Sequence, residues 1–231
     1  MARKSKRQRK ASSPPPPRGT SDRDKAIDAL MALLARHRFE EVGLAEVAGQ
    51  AGIKLSQLRA EFGSTLAILA AHIKEIDRVV LAGTDPNMAE EPARERLFDV
   101  LMRRLDALAP YKEAVRSVML SARRNPGLAF ALNAMAVRSQ HWMLEAAGIR
   151  AAGPRGALRA QGAALMFARV LSVWIDDEDQ GLDRTMAVLD RGLVSAERWV
   201  GFLDDLCALP RCVLRGPRRR RRMRDEEAEA A

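Results

Sequence analysis

Four side chains within the short stretch IKLSQLRAEF, residues 53–62, could donate hydrogen bonds to a polyanion: Lys54, Ser56, Gln57 and Arg59. Arg59 suits either a phosphate or a guanine edge. Leu55 and Glu61 in the same stretch oppose that use, since a surface facing DNA wants small or donating residues there. Other chemistry is hard to assemble. His37, His72 and His141 fall on three different helical segments, without the spacing of a metal or catalytic set. Asp176-Asp-Glu-Asp179 lacks oxygen-ligand loop spacing and reads as a solvated turn between helices. The chain has no glycine-rich phosphate loop and no nucleophile motif, and Cys207 and Cys212 have no metal-ligand partners nearby. The expectation is a non-enzyme with no catalytic residues, no metal and no cofactor.

The elements that must hold the four donors are helical. Ile27, Leu30, Met31 and Leu34 recur at i, i+3, i+4 and i+7, behind Asp22 and Asp24, whose charges suit a helix N-terminus. Gly43 ends that unit, and a short helix from Leu44 to Ala51 is closed by Gly52. A third runs from about Lys54 to Phe62, broken by Gly63-Ser64, with Ser64 as the next N-cap. A long fourth helix carries Leu66, Leu69, Ile73, Ile76 and Val80, and Gly83-Thr-Asp-Pro86 stops it. Further helices are expected at about 92–108, 111–124, 127–147 and 155–175. A last one begins near Leu182, with a 4-3 repeat of Leu182, Met186, Leu189, Leu193, Ala196, Val200, Leu203 and Cys207. No strand and no internal repeat is evident, so the fold class is all-α, about nine helices with flexible ends.

Ala48 as a small residue, Gly52 at a tight turn, and Val47, Ala51, Ile53, Leu58 and Phe62 as apolar interior have the spacing of a helix-turn-helix. With Phe39-Glu-Glu-Val42-Gly43 ahead and Ser64 opening a long helix, residues 22–75 resemble the N-terminal domain of the TetR family of transcriptional regulators. The resemblance implies a homodimer that binds operator DNA through this unit and is released by a small apolar ligand in a C-terminal bundle. The family's phosphate-contacting tyrosine, histidine and lysine positions hold Arg59, Glu61 and Thr65 here. Residues 22–63 carry −1, so this unit alone should hold DNA weakly.

From Ala93 onward the helices are rich in large apolar residues. Phe98, Met102, Met119, Phe130, Met135, Trp142, Met166, Phe167 and Trp174 are the candidate lining of an apolar ligand pocket, or simply core. Arg103, Arg138 and Arg169 lie in apolar helices, where they could line such a pocket or pair with acids, and surface exposure is the expectation for each. The segment Arg96–Ala147, with Leu108-Ala-Pro-Tyr111 and Trp142 ahead of Ala147-Gly148, is similar to the ubiquinone-biosynthesis accessory lipid-binding family, the ninth Coq protein. Trp174-Ile-Asp-Asp and the later Leu189-Asp-Arg191 extend that similarity. It implies a TetR-like fold that binds an isoprenoid lipid, does not read DNA, and meets a membrane through a C-terminal amphipathic helix.

The net charge of +9 belongs to the ends. Residues 1–18 contribute +7, residues 211–224 contribute +8 and residues 225–231 contribute −4, so residues 19–210 carry −2. Basic ends bind polyanions generally, nucleic acid or anionic lipid. The 4-3 repeat of the last helix suits a homodimer seam, and Trp199-Val-Gly-Phe-Leu203 followed by arginines suits peripheral membrane contact. MARKSKRQRK has no apolar segment behind it, unlike a secretory signal, and no apolar run approaches a membrane span, so a cytoplasmic location is expected. The expected organisation is a disordered basic arm (1–21), a helix-turn-helix domain (22–65), a ligand-binding and dimerisation bundle (66–210) and a disordered tail (211–231).

Overall fold

The computed structural model describes residues 21–83, 88, 90–179 and 181–196. Among these, every regular element is helical. The bounded helices are α1 (Asp22–Leu34), α2 (Leu44–Ala51), α3 (Leu55–Glu61), α4 (Thr65–Ala82), α5 (Ala93–Leu108), α6 (Lys112–Ala122), α7 (Pro126–Ala146) and α8 (Gly153–Trp174). Residues 183–196 are also helical. The all-α class therefore holds, and most helix ends fall within about three residues of where apolar period and breakers place them; the exception is α1, which ends at Leu34 and is followed by a short 3-10 turn at Phe39–Glu41 rather than running to Gly43.

Local chemistry explains those ends. The Ser21 hydroxyl accepts the Asp24 N–H at 3.2 Å, so Ser21 is the N-cap of α1 rather than the last residue of a basic arm. Gly52 adopts φ +65° after α2, a conformation costly for any residue with a Cβ, and the Ile53 N–H reaches back to the Ala48 carbonyl at 3.1 Å. The Ser64 hydroxyl accepts the Ala67 N–H at 3.1 Å and opens α4. Ser64→Ala should cost about 1 kcal/mol. For a chain of this size that is a fall of roughly 2–4 °C in the thermal midpoint, readable by circular dichroism.

The first three helices do not enclose a core by themselves. Leu30, Leu34, Val47, Leu58 and Ile68 are packed together with Ala114 and Val118 of α6. Two polar ties join the same surfaces: the Phe39 N–H donates to the Ser121 hydroxyl at 3.1 Å, and the Ser117 hydroxyl donates to the His37 carbonyl at 2.6 Å. A boundary at residue 65 thus cuts through a shared core, and one compact unit runs to Leu189. The second unit is 190–231, of which residues 190–196 are described and helical.

In the bundle, the Asp77 carboxylate of α4 accepts from the Arg104 guanidinium of α5 and, at 2.6 Å, from the Ser139 hydroxyl of α7. Asn133 of α7 and Gln161 of α8 exchange two amide bonds at 3.1 and 3.0 Å.

The acidic turn is exposed at Asp176, Glu178 and Asp179, as expected of a solvated turn, and departs from that only at Asp177. Asp177 is buried and accepts from both the backbone N–H of Thr185 (2.9 Å) and its hydroxyl (2.6 Å), capping the following helix. The Thr185 hydroxyl, with the backbone donors of Thr185 and Asp179, holds the Asp177 carboxyl below its ordinary pKa. Asp176 pairs with Arg116. The basic arm up to residue 20, residues 84–86 of the expected Gly83–Pro86 stop, the expected continuation of the last helix past residue 196 with the Trp199 segment, both cysteines and the C-terminal tail lie outside the described residues.

Candidate DNA-reading surface and ligand cavity

Helix α3 sits on the core through Leu58, which is buried, while Lys54, Ser56, Gln57 and Arg59 are all exposed. The four proposed donors therefore share one short, solvent-facing element. Their freedom differs. The Gln57 side chain is engaged at both ends: its Oε1 accepts the Lys54 backbone N–H at 2.9 Å, and its Nε2 donates to Asp22 Oδ2 at 2.7 Å. Lys54 is the N-cap residue of α3, and its side chain makes no capping bond. Leu55 is 54% exposed on the same surface. A thymine methyl is the base-edge group an aliphatic side chain can meet.

Glu61, whose charge would repel phosphates, has a partner inside the domain. The Arg23 guanidinium lies 3.9 Å from its carboxylate and 4.8 Å above the Phe62 ring. Both charges remain about half exposed, so this pair contributes little stability. It does offset part of the local negative potential. Thr65 donates to the Val42 carbonyl at 3.5 Å, tying the start of α4 to the segment two residues ahead of α2.

Beneath this unit lies an apolar cavity of about 520 Å³, walled by α1, α4, α5, α6, α7 and α8. Aliphatic side chains such as Leu69, Ile73, Val118 and Leu171 form most of it. Five polar side chains interrupt the apolar wall: His72, Arg104, Asn133 and Gln140, with the exposed Arg123 at its edge. His72 packs edge-on against Tyr111 at 4.5 Å between ring centroids. Arg104 faces Asp77 on one side and the Phe167 ring, 5.4 Å away, on the other. Gln140 is 1% exposed, and its Oε1 has no hydrogen-bond partner.

No protein-family profile and no curated protein matches the chain. Solved structures do. A TetR transcriptional regulator from Nitrosomonas europaea aligns with a TM-score of 0.61 at 22% identity, covering 77% of this chain and 98% of the other. A TetR transcriptional regulator from Rhodococcus sp. RHA1 aligns at 0.52 and 18% identity, covering 76% and 95%. The fatty acid degradation regulator FadR from Bacillus halodurans aligns at 0.52 and 16% identity, covering 80% and 96%.

The chain has the TetR fold. Within that fold, the nine residues suggested as pocket lining separate into distinct groups. Met119 and Phe167 line the cavity. Met102 and Trp174 are buried away from it, Trp174 with the Lys112 ammonium 5.5 Å from its ring. Phe98, Met135 and Met166 are half-buried outside the cavity. Phe130 is 78% exposed and Trp142 53% exposed, so both face away from any interior. Arg138 and Arg169 are at the surface as expected, whereas Arg103 caps α4 through the Gly83 carbonyl and pairs with Asp99 at 2.8 Å.

The polar wall residues of this TetR-fold chain were not singled out from sequence, although a signal existed. Arg104 falls on the stripe of Val100 and Leu108, His72 on that of Leu69 and Ile76, and Gln140 on that of Ala136 and Leu144. A polar residue on the buried stripe of a helix is the legible mark of such a site. Among the described residues no helix is long and apolar enough to cross a membrane, and no group of three His, Cys, Asp or Glu side chains could hold a metal ion.

Proposed function

We propose that this protein is a TetR-like transcriptional regulator, working as a homodimer, that binds DNA through α3 and responds to an apolar ligand in the bundle cavity. The observation that carries the reading is one continuous core: α1 packs on α6 at Ala114 and Val118, and Val118 also lines the cavity. Occupation of the cavity therefore bears directly on the scaffold that presents α3. Lys54, Ser56 and Arg59 are the donors, Leu55 is an apolar base contact, and Gln57 must exchange Asp22 for a nucleotide to contribute. The electrostatics of residues 22–63 are weak, and the basic ends of the chain supply the missing cations for the phosphate backbone.

The test is capture of genomic DNA fragments by the purified full chain, repeated with Lys54, Gln57 and Arg59 changed to Ala. Enrichment of a defined sequence by the parent chain is expected. Arg59→Ala alone should weaken binding to that sequence by roughly 1–3 kcal/mol and relax the preference at one position. Enrichment indifferent to the triple change would sink the reading. A second reading, a TetR-fold lipid-binding accessory protein that does not read DNA, is favoured by the engagement of Gln57 with Asp22 and by the exposed Glu61 carboxylate. Isoprenoid lipid co-purifying with the chain, together with no enriched DNA, would decide for it.

A further inference from the structure

Resting on the reading that the bundle cavity holds the effector, we propose that its occupant is an uncharged amphiphile: an aliphatic chain ending in a hydroxyl group, with the hydroxyl seated on the Gln140 amide. The cavity's volume of about 520 Å³ lies in the ~300–1,000 Å³ range of small-molecule sites. It far exceeds the ~30 Å³ share of a single water. Its walls, from Met31 on α1 to Leu171 on α8, suit an alkyl or isoprenoid chain.

The head group follows from which polar atoms of the wall are already matched. Arg104 is neutralised by Asp77, and Asp77 also accepts from Ser139. Asn133 is satisfied by Gln161 through two reciprocal amide bonds. His72 is held against the Tyr111 ring, and the Gln140 Oε1 and the Arg104 Nε are buried atoms of wall residues without a hydrogen-bond partner. A buried carbonyl oxygen left unmatched costs free energy that a donating ligand recovers. A hydroxyl carries a proton that it can donate to the Gln140 oxygen. A carboxylate has no proton to donate. It would also bring a second negative charge beside Asp77, whose own charge is already paired with Arg104. The competing head-group position is the exposed Arg123 in the same lining, where a fatty acid could leave its carboxylate in solvent.

The test uses the full chain and displacement of Nile red by decanol, decanoate and decane, with parent protein and Gln140→Leu. Decanol is expected to bind the parent at least about tenfold more tightly than decanoate. Gln140→Leu should weaken decanol about tenfold, about 1.4 kcal/mol, and leave decane unchanged. Gln140→Met asks the same question should the leucine variant fail to fold. Decanoate binding as tightly as decanol overturns the proposal, the more so if Arg123→Ala abolishes it. Equal loss of decanol and decane in both variants also overturns it, as a packing effect. Displacement by decane and decanol without any effect at Gln140 defeats the head-group assignment while leaving the ligand cavity standing. Displacement by none of the three defeats the cavity reading too. DNA capture through α3 is scored separately and is untouched by any of these outcomes.

Discussion

Asp77→Ala should lower the unfolding free energy by about 3–5 kcal/mol, because it strands the Arg104 charge inside the bundle. Only 7% of the Arg104 side chain and 11% of the Asp77 side chain are exposed, so water reaches neither group well. The Ser139 hydroxyl loses its acceptor in the same step. Replacing both members should be far milder: Asp77→Ala with Arg104→Met removes charge and counter-charge together, and the double variant should recover most of the loss. Urea unfolding of the parent, both single variants and the double variant gives the coupling energy directly. A single Asp77→Ala variant within about 1 kcal/mol of the parent would mean that Arg104 finds water or another acceptor. The pair also sits where α4, α5 and α7 meet, beside the cavity wall that Arg104 helps to form. Its loss should therefore loosen ligand binding as well as lower stability.

Two alanine substitutions in α8 should act with opposite signs. A Cβ on Gly156 would run into the backbone carbonyl of Ala151, which is itself buried. Neither backbone can retreat like a flexible side chain, so Gly156→Ala should cost about 3 kcal/mol, the upper part of the range for overpacking. Gly162, six residues on in the same helix, has nothing within 4 Å of where its Cβ would stand. Gly162→Ala should stabilise by about 0.5–1 kcal/mol, through helix propensity and a less flexible unfolded chain. Thermal melts of the two variants side by side check both. A neutral Gly156→Ala would mean that the turn from α7 into α8 can shift without cost.

The same contrast between local and distant neighbours explains what could be read in advance. Most helix bounds, the end of α1 excepted, came out within a few residues because period and caps are local: Ser64 and Gly52 act on neighbours three or four positions away. The α3 donors were legible for the same reason, since Leu58 alone faces inward and its flanking residues must face out. The pocket was not legible from residue size. Phe130 and Trp142 are as apolar as Phe167, yet they stand in solvent. Apolar character says that a side chain can be buried, and only the packing of other helices says whether it is. Polar residues on apolar stripes, such as His72, Arg104 and Gln140, carry a signal of burial, but that signal does not name their partners.

The sequence by itself determined an all-α chain, its succession of helices, the solvent-facing donors Lys54, Ser56 and Arg59, and charge concentrated at the ends. Tertiary structure alone decided that Gln57 is tied to Asp22, 35 residues away, and that Arg104 is matched by Asp77, 27 residues away. It alone placed Ser139 on the same carboxylate, 62 residues from Asp77, and left the Gln140 oxygen unmatched in a cavity. The physical reason is reach. Helical order arises from contacts a turn apart, whereas the matching of buried polar atoms depends on which distant helix packs opposite, and no local pattern encodes that choice.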